Sequence, residues 1–290
     1  MAPAPADPLC AAPRPRDAAG NASCRSAWWS VLRFGLSVIC LGFVLSLLVL
    51  PWTPLEWWKV FRRCVSLAAA LSLWLCIRRF EHRSVRSYGL PVSGGGRRYF
   101  VLGIALGLGA IGLLIAIGLA TGTYRIDVVA DRVRLWRTVL TFLPAAVLIG
   151  ILEELVFRGF ILQHLLPCSI PIALLVSNTL YALVHLKTLT VTVATGLELG
   201  GLWLVGALLS LSYLQTHQLY LAIGLHAALA YGVRIGKLLL SFPEPPLSWW
   251  FGTSRMVNGL VGWVGLLLLG ALIVGWTRGS PKGGVRHGEA

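Results

Sequence analysis

Eight separate apolar runs, each close to the length that spans a bilayer, constrain this chain more than any other feature. A membrane-crossing helix takes about 20 residues. Such runs fall near 32–51, 63–78, 99–121, 138–163, 170–188, 196–214, 218–236 and 257–277. Charged residues make up 12% of the 290, about half the roughly 25% usual in a soluble globular protein. So few charges could not clothe a water-exposed surface of this size. At 57% hydrophobic residues the chain is also far too apolar for disorder. The expected fold class is all-α: a polytopic integral membrane protein with about eight transmembrane helices.

The net charge of +14 reads as membrane-flanking charge. The basic residues lie between apolar runs, as at Arg78, Arg79, Arg83, Arg86, Arg97 and Arg98, where they orient helices and meet anionic headgroups. No RNA- or DNA-binding motif is present, so the expected partners are the lipid bilayer and a membrane-associated molecule, with no nucleic acid. The arginine count favours both termini inside by a small margin, with the 78–98 cluster tipping it. Residues 1–26, rich in Ala, Pro and Arg, are expected to form a disordered cytoplasmic tail. Helices and loops follow over 27–137, a core over 138–240, and a last helix with a tail over 241–290. Trp57-Trp58 and Trp249-Trp250 are expected at the membrane interface. Gly103, Gly107, Gly109 and Gly112 would let the third helix pack closely in lipid. The run Ser93-Gly94-Gly95-Gly96 reads as a flexible loop. The six cysteines are scattered, with no metal-ligand spacing and no argument for a disulfide. The Ala-, Gly-, Leu- and Arg-rich composition is compatible with a prokaryote, hence a plasma (inner) membrane.

The ionisable residues inside the apolar runs carry the chemistry. Each costs about 2.5–3.5 kcal/mol at a helix centre on insertion scales, so each needs a partner or a purpose. The fourth run holds Glu153, Glu154 and Arg158. Glu154 and Arg158 are four apart and can pair on one helix face. Glu153 points about 100° away and must look to another helix. The fifth run offers Asn178, Tyr181 and His185, the last two four apart, and the seventh offers His226. A carboxylate and two histidines on three helices make a convergent site. They can activate a water by general base catalysis or bind a divalent metal that does so. Glu198 could line the cavity or sit at the interface. His164 and His217, beside loops, are expected to be solvated.

The motifs Glu153-Glu154-x-x-x-Arg158, Tyr181-x-x-x-His185 and His226-x-x-x-Ala230, in this order, resemble those of the CPBP family, the CAAX proteases and bacteriocin-processing enzymes also called the ABI family. The resemblance covers about residues 138–235. It implies an intramembrane endopeptidase whose best-known relatives trim prenylated CAAX proteins. It implies that Glu153 is the general base, that His185 helps hold the water, that Glu154 and Arg158 support the site, and that His226 binds the tetrahedral oxyanion. The family is often labelled metal-dependent, so Glu153, His185 and His226 would be the ligands of a divalent metal such as zinc. A glutamate-activated water needs none. Where the family has Asn or Asp, this chain has Ala230, which can neither donate nor ligate. Asn178 is the candidate to stand in for that lost donor.

The expected function is therefore hydrolysis of a peptide bond in a membrane-anchored protein or peptide. Two rivals stand beside it. A non-catalytic scaffold or immunity factor on the same fold would explain Ala230. A proton-coupled transporter could use the same buried Glu and His residues.

Overall fold

The computed structural model describes residues 18–92, 95–128, 131–186, 190–253 and 256–279. Among them are eight helices of sixteen or more residues. They are α1 Ala18–Val49, α2 Trp57–Leu75, α3 Gly96–Ala120, α4 Arg132–Glu154, α5 Ile170–His185, α6 Val193–Thr216, α7 Tyr220–Leu239 and α8 Leu260–Gly279. Two continue as wider π-type turns, α2 through Cys76–Glu81 and α4 through Leu155–Leu162. A two-residue antiparallel ladder, Arg125–Ile126 against Leu240–Ser241, ties the loop after α3 to the end of α7. The chain is an all-α, multi-pass integral membrane protein.

The eight expected runs all become helices, but they are not equivalent. Among the described residues, six stretches are long and apolar enough to cross a membrane: Cys24–Trp52, Trp57–Glu81, Gly96–Ala120, Arg132–Leu165, Val193–Thr216 and Leu260–Arg278. The other two are α5 and α7. At 16 residues, α5 is about 24 Å long, short of the roughly 30 Å hydrocarbon layer. α7 carries His226, Arg234 and Lys237, and Leu221–Leu229 are buried without interruption. Protein rather than lipid surrounds that stretch, so His226 within it faces partners instead of acyl chains. The lipid-facing helices show the opposite pattern. Leu32, Leu36, Ile39, Phe43 and Leu47 form an exposed apolar stripe along α1. Trp57, Trp58, Trp249 and Trp250 are exposed where interfacial anchors are expected.

α7 sits at the centre because its neighbours allow their backbones to approach. A Cβ at Gly103 would lie 2.4 Å from the Leu221 carbonyl, and one at Gly224 would lie 2.2 Å from that of Phe100. Gly107 joins this crossing, whereas Gly109 and Gly112 face open space. On the other side, a Cβ at Gly150 would meet the Ile223 carbonyl at 3.2 Å. That close approach lies one turn before Glu153 and Glu154, and it brings α4 within reach of His226.

The sequence-based picture needs three corrections. α1 begins at Ala18, so the expected 1–26 tail is already helical over its last nine residues. An Ala-started, polar stretch forms helix beyond the membrane without needing apolar character. Residues 1–17, Ser93, Gly94 and the end of the C-terminal tail, 280–290, lie outside the described residues. Second, Cys24 and Cys168 form a disulfide between residues 144 apart. It fastens the start of α1 to the turn between α4 and α5, at the end of the bundle that carries the 78–98 arginines. Third, His164 is not solvated. Its Nε2 lies 2.7 Å from Glu81 Oε1 and its ring stacks on Phe160 at 4.2 Å. Tyr88 donates its hydroxyl hydrogen to the other oxygen of Glu81. His217 is exposed, as expected.

The disulfide closes a very long loop, so its loss should be felt in the unfolded state. The chain-entropy account gives about 2–5 kcal/mol for native disulfides. Thermal unfolding in detergent is expected to shift down on adding reductant. Cys24→Ser should start from the lower midpoint and ignore the reductant. The tie forms only where that end of the bundle meets an oxidising compartment, so oxidised material must be compared with reduced. A reductant shift that persists in Cys24→Ser would contradict this.

Candidate active site

Glu153 and Glu154 end the regular part of α4, and the wider turn starts at the next residue. Turns of this kind are uncommon and concentrate at functional sites. The two carboxylates diverge. Glu154 is fully buried with Arg158, and their side chains meet at 3.0 Å. Glu153 faces away from that pair, towards α5 and α7.

Arg158 is held on every side. Its Nη1 donates to Glu154 Oε1 at 3.0 Å, its Nη2 to the Gly206 carbonyl at 2.8 Å, and its Nε to Ser210 Oγ at 3.3 Å. Ser210 passes the bond on to Asn178 Oδ1 at 2.8 Å. The guanidinium lies over the Tyr181 ring, 4.7 Å from its centroid. A buried charge is tolerable only with this degree of satisfaction. Gly206 and Ser210, one turn apart on α6, are site residues that sequence reasoning passed over. The available signal was a serine in the middle of an apolar helix, which must find a hydrogen-bond partner when buried.

His226 bridges the two carboxylates. Its Nδ1 lies 2.7 Å from Glu154 Oε1 and its Nε2 lies 3.5 Å from Glu153 Oε2. His185 reaches the same Glu153 oxygen with its Nε2 at 3.2 Å, while its Nδ1 lies 2.8 Å from the Tyr181 carbonyl. Tyr181 fills the space between, its ring 4.4 Å from that of His185 and 6.0 Å from that of His226. Glu153 and His185 keep 25% and 26% of their side-chain surface exposed, so a substrate and a water can reach them. His226 is nearly closed off.

The tautomers follow from the partners. A carbonyl can only accept, so His185 carries its proton on Nδ1. Glu154 pairs with Arg158 as an acceptor, so His226 also donates to it from Nδ1. Both Nε2 atoms then face one carboxylate oxygen of Glu153. Three acceptors cannot crowd together unbridged, so the cluster holds a proton between them or binds something that supplies one.

Asn178 is brought to the Arg158 network, against Ser210 and Gly206, and its contacts are not with Glu153. Its Nδ2 is buried without a hydrogen-bond partner among the described residues. Ala230 is half-buried on α7. Glu198 lies half-buried in α6. Imidazole nitrogen and carboxylate oxygen are donor types that zinc accepts. As placed, however, the Glu153 oxygen is wedged between the two imidazoles. Among the described residues no group of three or more His, Cys, Asp and Glu could hold a metal ion. The chemistry below is written on the side chains alone.

A carboxylate flanked by imidazoles from two other helices, beside a charge pair that orients one of them, defines a class: polytopic membrane proteins with a polar cluster between their helices. Residues 135–231, about a third of the chain, match the family model described as Rce1-like, type II CAAX prenyl endopeptidase Rce1-like. The match spans α4 to α7 and includes all three motifs. Over this stretch the chain is similar to that family, in line with the resemblance its motifs carry. No curated protein matches the chain.

Proposed function

We propose that this protein is an intramembrane endopeptidase that hydrolyses a peptide bond of a membrane-associated protein or peptide with a water activated by Glu153. The single observation that carries the reading is the partly accessible Glu153 carboxylate held against the Nε2 atoms of His185 and His226. A purely structural carboxylate would be paired and closed off, as Glu154 is.

The chemistry follows from that arrangement. The Glu153 carboxylate takes one proton from a water, and the hydroxide formed attacks the carbonyl carbon of the scissile bond. His185, fixed through Nδ1 by Tyr181, positions this water. The proton shared in the cluster, when on His226 Nε2, makes that nitrogen a donor to the tetrahedral oxyanion. Glu154 holds His226 in the orientation this needs. The carbon–nitrogen bond then breaks, and the proton on Glu153 passes to the leaving amine. The sum is peptide plus water giving acid plus amine.

Ala230 favours a second reading, a membrane scaffold or immunity factor on the same fold. Losing one oxyanion donor costs about 10²–10³ in turnover in other enzymes. The two readings part in a reconstituted assay. Wild type and Glu153→Gln are compared on membrane-anchored peptides, prenylated and unprenylated, with and without a chelator. Cleavage by wild type that is lost in the variant is the expected result. Cleavage that survives Glu153→Gln would overturn the role given to Glu153, and no cleavage of any of the peptides by wild type would favour the scaffold. Cleavage abolished by the chelator would overturn the metal-free route.

A further inference from the structure

His185 lies at the edge of a second feature, a cavity of about 580 Å³ between the start of α2 and the end of α5. Lys59, Arg62, Arg63, Phe61 and Leu183 line it with His185. That volume suits a few residues of an extended peptide. On α2, Lys59, Arg62, Arg63 and Ser66 follow the spacing i, i+3, i+4, i+7, which puts them on one helix face. The buried face of α2, with Val60, Cys64 and Ala68, is a different one.

Three cations in the first two turns of a helix are unfavourably placed, because the positive end of the macrodipole is there. Lys59 is neutralised by Glu56 at 3.1 Å. Arg62 and Arg63 are exposed and have neither an ion-pair nor a hydrogen-bond partner among the described residues. Near the low-dielectric bilayer, two unneutralised guanidiniums call for an anion. Their planar fork suits a carboxylate bidentately. His185, which lines the same cavity, is in contact with Glu153 at 3.2 Å.

We infer that Arg62 and Arg63 form a recognition rim for the substrate, binding a carboxylate of a membrane-anchored peptide while the scissile bond lies against Glu153 and His185. This rests on the protease reading for the word substrate. The ligand chemistry is a carboxylate, from the peptide's C-terminus or from an acidic side chain near the cleaved bond.

The test is a binding measurement on the Glu153→Gln protein in phosphatidylcholine nanodiscs, so that it does not depend on cleavage. Three fluorescent lipid-anchored peptides of one sequence are compared. One ends in a free acid, one in an amide, and one in an amide with an internal Gln replaced by Glu. A charge-assisted contact is worth about 1.5–3 kcal/mol, so one acid form should bind about 10- to 100-fold more tightly than the neutral amide. Which form gains tells which carboxylate is read. In Arg62→Gln/Arg63→Gln the advantage should fall to about twofold or less, and Arg62→Lys/Arg63→Lys should restore it only in part, because an ammonium keeps the charge but not the bidentate fork. Equal binding of all three peptides, equal absence of binding included, would overturn the inference. So would an advantage that survives the double glutamine variant. An arginine effect seen only when phosphatidylglycerol is added, and equal for all three peptides, would assign the rim to lipid headgroups and also overturn it. Arginine-dependent binding without cleavage by wild type would sink the protease reading and leave the rim standing. Cleavage blind to the carboxylate would do the reverse.

Discussion

Glu153→Gln is expected to lower peptide cleavage by about 10²–10⁴, the range a positioned general base contributes, with melting unchanged. Glutamine keeps the volume and one acceptor oxygen but cannot take a proton from water. The loss should fall on kcat with KM little altered, because the group acts only in the transition state. Folding should survive, since the Arg158 charge is paired directly with Glu154 at 3.0 Å. His185→Gln should also lose turnover, because Nε2 is its contact with Glu153 at 3.2 Å. The two losses should be far from additive, as groups acting on one water work as a unit. A Glu153→Gln enzyme within about threefold of wild type would remove the chemistry proposed for the cluster.

What could be read from the sequence was what short-range geometry fixes. Spacing alone put Glu154 and Arg158 on one face and turned Glu153 off it, and the pair is found at 3.0 Å. Apolar run lengths located the helices to within a few residues, apart from the early starts of α1, α2 and α4. Contacts between helices were out of reach, because they depend on which faces meet. Nothing local in Gly206 or Ser210 says that Arg158 will lie against them. Nothing in Cys24 or Cys168 says that residues 144 apart are neighbours. His164 misled for the same reason. A histidine beside a loop is usually wet, yet here the end of α2 folds Glu81 onto it. The glycines of α3 show how partial the pattern is. Close packing was correctly expected of the group, but only the partner helix decides that Gly103 and Gly107 are used while Gly109 and Gly112 are not.

The largest effect on stability is expected from Glu154→Ala. It leaves the Arg158 guanidinium fully buried without its carboxylate, and removing one partner of a buried pair costs about 3–5 kcal/mol. The Gly206 carbonyl and Ser210 hydroxyl would remain as acceptors, but neither balances the charge. The same oxygen of Glu154 also receives His226 at 2.7 Å, so His226 would lose what orients it. Activity should fall together with the melting temperature. Glu154→Gln is expected to be milder in stability, because its amide oxygen can still accept from one of the two donors. The double variant Glu154→Leu/Arg158→Met should be more stable than Glu154→Ala alone, since no uncompensated charge stays buried. It should nonetheless be inactive, as His226 has no anchor. That dissociation is the informative outcome: stability recovers while catalysis does not. A thermal-shift double-mutant cycle reads the coupling directly. Single variants that each cost under about 1 kcal/mol and add independently would show that the pair is not the support the geometry makes it.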